Sequence, residues 1–116
     1  MFWPSGRRLP AASRKALVQS HYLENFERDM GCSEAEWLGW LPAALGAHPW
    51  HRDGPCVQAG IGAGSLRIDW QPAPPRLLGS ARIPRLLVRF AFAGLEDRQR
   101  HAFMKRFDLY MQRGGG

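Results

Sequence analysis

Residues 66–71 read LRIDWQ and residues 85–93 read RLLVRFAFA. Apolar side chains fill every second position of both segments: Leu66, Ile68 and Trp70, then Leu86, Val88, Phe90 and Phe92. Because successive side chains of a β-strand point to opposite faces, this period of two predicts two strands that share one core. The alternate positions predict an outward face with three arginines, Arg67, Arg85 and Arg89.

A further strand is predicted just before these two. Residues 57–61 (VQAGI) alternate in the same way, and residues 62–64 (GAG) form a flexible turn. The glycines of residues 60–64 look like a phosphate-binding loop, but such a loop is followed by a helix, whereas a strand follows here. We therefore predict a hairpin turn and no nucleotide. The prolines at 72, 74 and 75 are expected to end the middle strand, and the last strand to begin just past Pro84.

Three segments have helical patterns. Between Ser13 and Met30 apolar residues recur at every fourth position, which predicts a helix that stops at Gly31. Ser33 and Glu36 form a capping-box pattern before a short helix that Pro42 limits. A last helix is predicted over residues 95–113, with an apolar stripe of Phe103, Phe107, Tyr110 and Met111.

These elements predict the α+β class: a small antiparallel sheet of about three strands, with N-terminal helices and a C-terminal amphipathic helix packed on one face. The 116 residues suit one domain. We expect a basic irregular arm over residues 1–12, a single domain over 13–113, and a glycine tail over 114–116.

The net charge, the apolar runs and the cysteine count limit which classes of protein this chain can belong to. The 16 Lys+Arg against 10 Asp+Glu give a net charge of +6, which would attract an acidic partner. The longest apolar runs fall short of the 18 residues that predict a membrane span. Two cysteines are too few for a disulfide framework, and the first 24 residues have no signal-length apolar stretch. We therefore expect a cytoplasmic protein with reduced thiols and no cofactor.

The favoured function is a binding module. Guanidinium groups suit contact with carboxylates, so an acidic protein or a second copy of the chain is the expected partner. An apolar patch of tryptophans would anchor it. The predicted basic surface is Arg67, Arg85, Arg89, Arg98, Lys105 and Arg106, and the predicted patch is Trp37, Trp40 and Trp50.

Two other classes stay open. Nucleic-acid binding would use the same cations, although no aromatic side chain is predicted on the arginine face to stack against bases. A small metal-dependent enzyme or zinc domain would use ligand-type residues around the 46–55 loop, and His51 beside Asp53 resembles an oriented general base. The spacing of these residues departs from that of zinc ribbons and fingers. The candidate ligands are Cys32, His48, His51 and Cys56.

Overall fold

The computed structural model describes residues 22–115, with side chains to residue 112. It is an α+β fold with two helices and a five-stranded antiparallel sheet. The elements in chain order are β1 (Asn25–Met30), α1 (Glu34–Leu45), β2 (Trp50–Arg52), β3 (Cys56–Ile61), β4 (Gly64–Leu78), β5 (Ala81–Ala93) and α2 (Asp97–Gly115). The strands lie in the order β1-β5-β4-β3-β2, so β4 and β5 form the centre.

Both helices pack on one face of the sheet, which we call the inner face. Phe90 meets Phe107 of α2 edge to face at 5.5 Å between ring centroids, and Trp70 meets Trp37 of α1 at 5.5 Å. The Trp70 indole N–H also donates to the Glu34 carboxylate at 2.8 Å, which holds the start of α1 against β4. The opposite face, which we call the outer face, is covered by no element within residues 22–115.

The alternation in β4 and β5 is confirmed. The two strands pair with Ile68 opposite Phe90, and all seven predicted core residues are buried; Phe90 is 0% and Trp70 3% exposed. The GAG turn joins β3 and β4 as a hairpin, and the Ser33 capping box begins α1. The α2 stripe is also inside, with Tyr110 only partly buried.

The prediction of about three strands with N-terminal helices is wrong. Asn25–Met30 forms edge strand β1, paired with β5, and a short strand β2 lies within the predicted 46–55 loop. Tyr22, Phe26 and Met30 are four apart, which places residues on one face of a helix but also on one face of a strand, because four is a multiple of two. The stacking of Phe26 on Phe90 at 4.8 Å favours the strand. Residues 1–21 and 116 lie outside the described part of the chain, so the 1–12 arm and the first part of the predicted helix lie there too.

The prolines do not end β4. It runs on to Leu78 and pairs with β5 from Ala81, with a one-residue bulge between Ala73 and Arg76. The Trp70 amide donates toward β3. Because backbone N–H groups point alternately to the two sides of a strand, the nitrogens of Pro72 and Pro74 point to the same edge of β4. At that level of the sheet β3 no longer lies beside β4. The Phe92 amide donates toward β1, and Pro84 likewise faces the side past the end of β1. The missing N–H groups therefore lie on free edges, where proline is tolerated.

A partly buried ion pair ties α2 to the edge strand. The Arg28 Nη2 atom donates to the Asp108 carboxylate at 2.9 Å, and the Tyr22 hydroxyl donates to the same carboxylate at 3.1 Å. Burial lowers the pKa of Arg28, but the hydrogen bond and charge of Asp108 outweigh it, so that the pKa lies above its ordinary value. The guanidinium also lies within 6 Å of the centroids of three aromatic rings, those of Tyr22, Phe26 and Phe90.

Alanine substitutions at two glycines test how closely the chain packs around them. A Cβ on Gly64 would lie 2.4 Å from the Ala93 carbonyl oxygen and 2.7 Å from the Leu95 side chain, so Gly64→Ala should destabilise the fold by about 2 kcal/mol. Nothing lies within 4 Å of a Cβ on Gly39 in α1, so Gly39→Ala should stabilise it by about 1 kcal/mol. Urea unfolding of both variants beside the wild type measures the two signs. A Gly64→Ala variant as stable as wild type would contradict the β4–β5 approach described above.

Candidate docking surface

Ion pairs cover the outer face. Arg67 Nε donates to Asp69 at 3.0 Å on β4. Arg85 and Arg89 of β5 each reach across to a carboxylate of β1, Asp29 and Glu27 respectively, with a closest distance of 2.6 Å in both pairs. The predicted arginines thus share one surface, as the alternation requires, but each has a carboxylate partner there.

These pairs make the outer face neutral. Exposed ion pairs are worth little to stability because water screens them, and such pairs can exchange partners. Burial would raise the pKa of Asp69, but the hydrogen bonds from Arg67 and the Cys56 thiol, with the charges of Arg67 and Arg89, outweigh it and lower the pKa. Asp69 therefore contributes stability above its ordinary carboxyl pKa, and this is lost as the pH falls through the lowered value.

The three predicted cations of α2 divide into two kinds. Arg98 and Lys105 are exposed and form no ion pair with another described residue. Arg106 lies across the end of α1, where it stacks on Tyr110 at 4.4 Å and donates to the Ala43 carbonyl at 3.4 Å. A cation at this end of a helix is favourable because the macrodipole is negative there.

Most of the excess charge lies outside the described residues. Residues 22–115 contain 12 Lys+Arg and 10 Asp+Glu, a formal charge of +2 out of +6. Residues 1–21 supply the other +4, with four cations and no acid. The described surface is therefore only weakly basic, and the arrangement of its charges matters more than their sum.

The end of the β4–β5 ribbon exposes two adjacent large apolar side chains. Residues 72–85 extend past the ends of β1 and β3. We call this ribbon the arm from here on; it is distinct from the predicted N-terminal segment 1–12. Leu77 is 63% and Leu78 57% exposed, and Arg76 and Arg82 beside them are exposed without an ion pair to another described residue. Sequence reasoning missed the arm because it took the prolines as the strand end. The available signal was the apolar pair after them, before a glycine turn at Gly79.

The tryptophans do not form the predicted patch. Trp37 is 0% exposed and fills the core, with its indole N–H unpaired among the described residues, so it has no place on a surface. Trp40 is half-buried against the core, and Trp50 is 36% exposed on edge strand β2. The helical spacing that groups Trp37 with Trp40 also turns Trp37 directly onto Trp70.

The candidate metal ligands do not converge. Cys32 is buried at 2% exposure, and His48 packs against Phe103 with 5.4 Å between ring centroids. Within residues 22–115 no group of three or more His, Cys, Asp and Glu side chains is placed to hold a metal ion. His51 and Cys56 do line one outer-face groove of about 330 Å³, together with Asp53 and Asp69.

The Cys56 thiol in this groove is a poor nucleophile. Burial raises its pKa, as do its hydrogen bond to Asp69 and the charge of that carboxylate. Since the thiolate is the reactive form, a raised pKa keeps Cys56 protonated at neutral pH. Catalytic thiols have a net environment that lowers the pKa, whereas at Cys56 the lowering effect of the Arg67 charge is outweighed by burial and Asp69.

No protein-family model and no curated protein matches this sequence. Neither helix within residues 22–115 combines the length and the apolarity needed to cross a membrane. The surface geometry is therefore the basis for inferring function.

Alkylation of Cys56 tests this electrostatic account. The rate of its reaction with iodoacetamide should reach half-maximum at a pH above the ordinary thiol pKa. Asp69→Asn should lower that pH, because it removes the largest charge effect on the thiol, whereas Asp53→Asn, the matched control, should lower it less. Peptide mass spectrometry separates Cys56 from Cys32. A half-maximum below the ordinary thiol value would contradict the geometry.

Proposed function

We propose that the protein is a non-enzymatic binding module that docks a protein partner rich in carboxylates. The observation that carries this proposal is the tip of the arm, where two exposed leucines lie beside two arginines that lack a partner among the described residues. Arginine is enriched among the residues that dominate binding energy at protein interfaces, and exposed leucines beside it supply apolar area that a partner can bury. The arm takes the anchoring role that the sequence assigned to the tryptophans.

Charge supports an acidic partner. Arg76 and Arg82 are available to carboxylates without first breaking an ion pair in their own chain. Removing water from an arginine is favourable only when the partner supplies a matching acceptor, and a carboxylate does so with two parallel hydrogen bonds. The leucines then occupy an apolar site on the partner, with the carboxylates around it.

The outer face supplies specificity. Its three ion pairs alternate in sign across β1, β5 and β4, so a partner must present a complementary order of charges to replace or extend them. Arg98 and Lys105 lie on α2, on the opposite side of the sheet, and are not part of this proposed contact. The proposal thus keeps Arg67, Arg85 and Arg89 from the predicted basic surface and adds the two arginines of the arm tip, Arg76 on the outer face and Arg82 on the opposite face of the ribbon.

The arm is tested by charge reversal at its tip. Immobilised Arg76→Glu/Arg82→Glu protein should capture its partner from nuclease-treated lysate of the source organism at least about tenfold less than wild type. The matched control, Arg98→Glu/Lys105→Glu, makes the same change in net charge on α2 and should capture as much as wild type. The captured protein is identified by mass spectrometry, and its binding is then repeated with purified components.

Two results would overturn the proposal. One is equal loss in both variants, since net charge rather than the arm would then govern binding. The other is high affinity for labelled DNA or RNA that falls steeply with salt, with a slope set by the number of phosphates contacted. That result would assign the cations to nucleic acid.

A further inference from the structure

Arg85 is the most enclosed of the three arginines that form ion pairs on the outer face. Its side chain is 27% exposed, against 56% for Arg67 and 68% for Arg89. It also holds an acceptor beyond its ion pair, because its Nη1 atom donates to the Pro74 carbonyl at 3.1 Å. Arg85 is therefore the least accessible of the three to a docking partner and the one most engaged with its own chain.

The guanidinium of Arg85 joins three strands at the base of the arm. Arg85 belongs to β5 and lies one residue nearer the tip than Leu86, which is opposite Met30 at the end of β1. On the β1 side, Nε lies 3.1 Å from both carboxylate oxygens of Asp29, and Nη2 lies 2.6 Å from one of them. On the β4 side, Nη1 bonds the Pro74 carbonyl. A guanidinium can hold both acceptors at once because its five N–H donors point in fixed directions.

Pro74 lies in the bulge, where the direction of the arm is set. The pairing of β4 with β5 shifts by one residue between Ala73 and Arg76. A bulge bends its strand and increases the local twist, and the residues within it lose ladder hydrogen bonds. Pro74 and Pro75 have no backbone N–H with which to replace those bonds. The hydrogen bond from Arg85 to the Pro74 carbonyl therefore holds a segment that the ladder itself does not.

A small change of angle at the bulge moves the tip by a large distance. The turn at Gly79 is five residues beyond Pro74, or about 16 Å at the usual strand rise, so a rotation of about 20° would displace it by about 6 Å. A surface that is already fixed in its bound arrangement loses less conformational freedom when it docks. An arm of fixed direction is therefore a better docking element than one that rotates at the bulge.

We propose that Arg85 is the positioning residue of the arm. By holding Asp29 of β1 and the Pro74 carbonyl at the same time, its guanidinium fixes the direction in which the tip is presented. Its ion pair is one that a partner extends rather than replaces, because breaking the pair would release the arm. The part of this inference that concerns docking rests on the proposed function, whereas the part that concerns the direction of the arm does not.

Pulsed electron paramagnetic resonance of the full chain measures the direction of the arm. Nitroxide labels are attached to Ser80→Cys, at the turn, and to Gln58→Cys, on β3, both at exposed positions. The background is Cys56→Ser, and Cys32 is buried at 2% exposure and should not react. Arg85→Gln and Arg85→Lys should each widen the distribution of label distances about twofold, because neither side chain has the planar fork that reaches both acceptors.

Arg89→Gln is the matched control. It removes the other ion pair between β5 and β1, which has the same closest distance of 2.6 Å but joins Arg89 to Glu27, further from the bulge. The width should stay at the wild-type value, and Arg89→Gln and Arg85→Gln should unfold at similar urea concentrations, since exposed ion pairs are worth little. Asp29→Asn should widen the distribution, and combining it with Arg85→Gln should add nothing. An unchanged width in Arg85→Gln, or equal widening in Arg89→Gln, would overturn the positioning role.

The capture assay described above tests the consequence for docking. Arg85→Lys and Arg85→Gln should each lower capture about fivefold, because both release the arm. Full capture by Arg85→Lys with loss in Arg85→Gln would instead make Arg85 a charge that the partner contacts, and full capture by both would separate the arm direction from docking; either result overturns its role in docking. An unchanged distance distribution beside lost capture in Arg76→Glu/Arg82→Glu would overturn this inference and leave the proposed function standing.

Discussion

The pairing of β4 with β5 sets the rest of the structure. In this register Leu66, Ile68 and Trp70 lie beside Phe92, Phe90 and Val88 on one face, and both helices cover that face. A slip of one residue would turn these side chains into water and bring arginines into the core, so the alternation fixes one register. The same register places Arg85 and Arg89 beside the acids of β1.

The arm forms because β4 and β5 are longer than the strands on either side of them. β4 and β5 continue together after β1 and β3 have ended, so both edges of the ribbon are free. Free edges invite association with other strands, and Pro72, Pro74 and Pro84 lie where they remove the donors that this would use. Because the edges are closed in this way, the exposed leucines and arginines of the tip are the part of the arm left to make contacts.

The sequence predicted the parts of the fold that depend on local patterns. The strict alternation predicted which side chains of β4 and β5 face the core, and the capping box predicted where α1 begins. Asn25–Met30 was misassigned because a spacing of four fits a helix and a strand alike, and only contact with Phe90 decides between them. For the surface, local alternation placed Arg67, Arg85 and Arg89 on one face. The ion pairs of Arg85 and Arg89 depend on a strand 56 or more residues away in sequence, beyond what periodicity reports.

The arrangement of charge favours a protein partner over phosphate. A groove that binds a nucleic-acid backbone presents a continuous row of cations, whereas the outer face alternates arginines with Asp69, Asp29 and Glu27. Each carboxylate would repel a neighbouring phosphate, and each arginine would have to leave a charged partner to reach one. A protein surface that carries both acidic and basic side chains avoids this repulsion and this loss of ion pairs, because its charges can extend the existing pattern. Under the proposed function, the same alternation of charge would determine which partners fit the outer face.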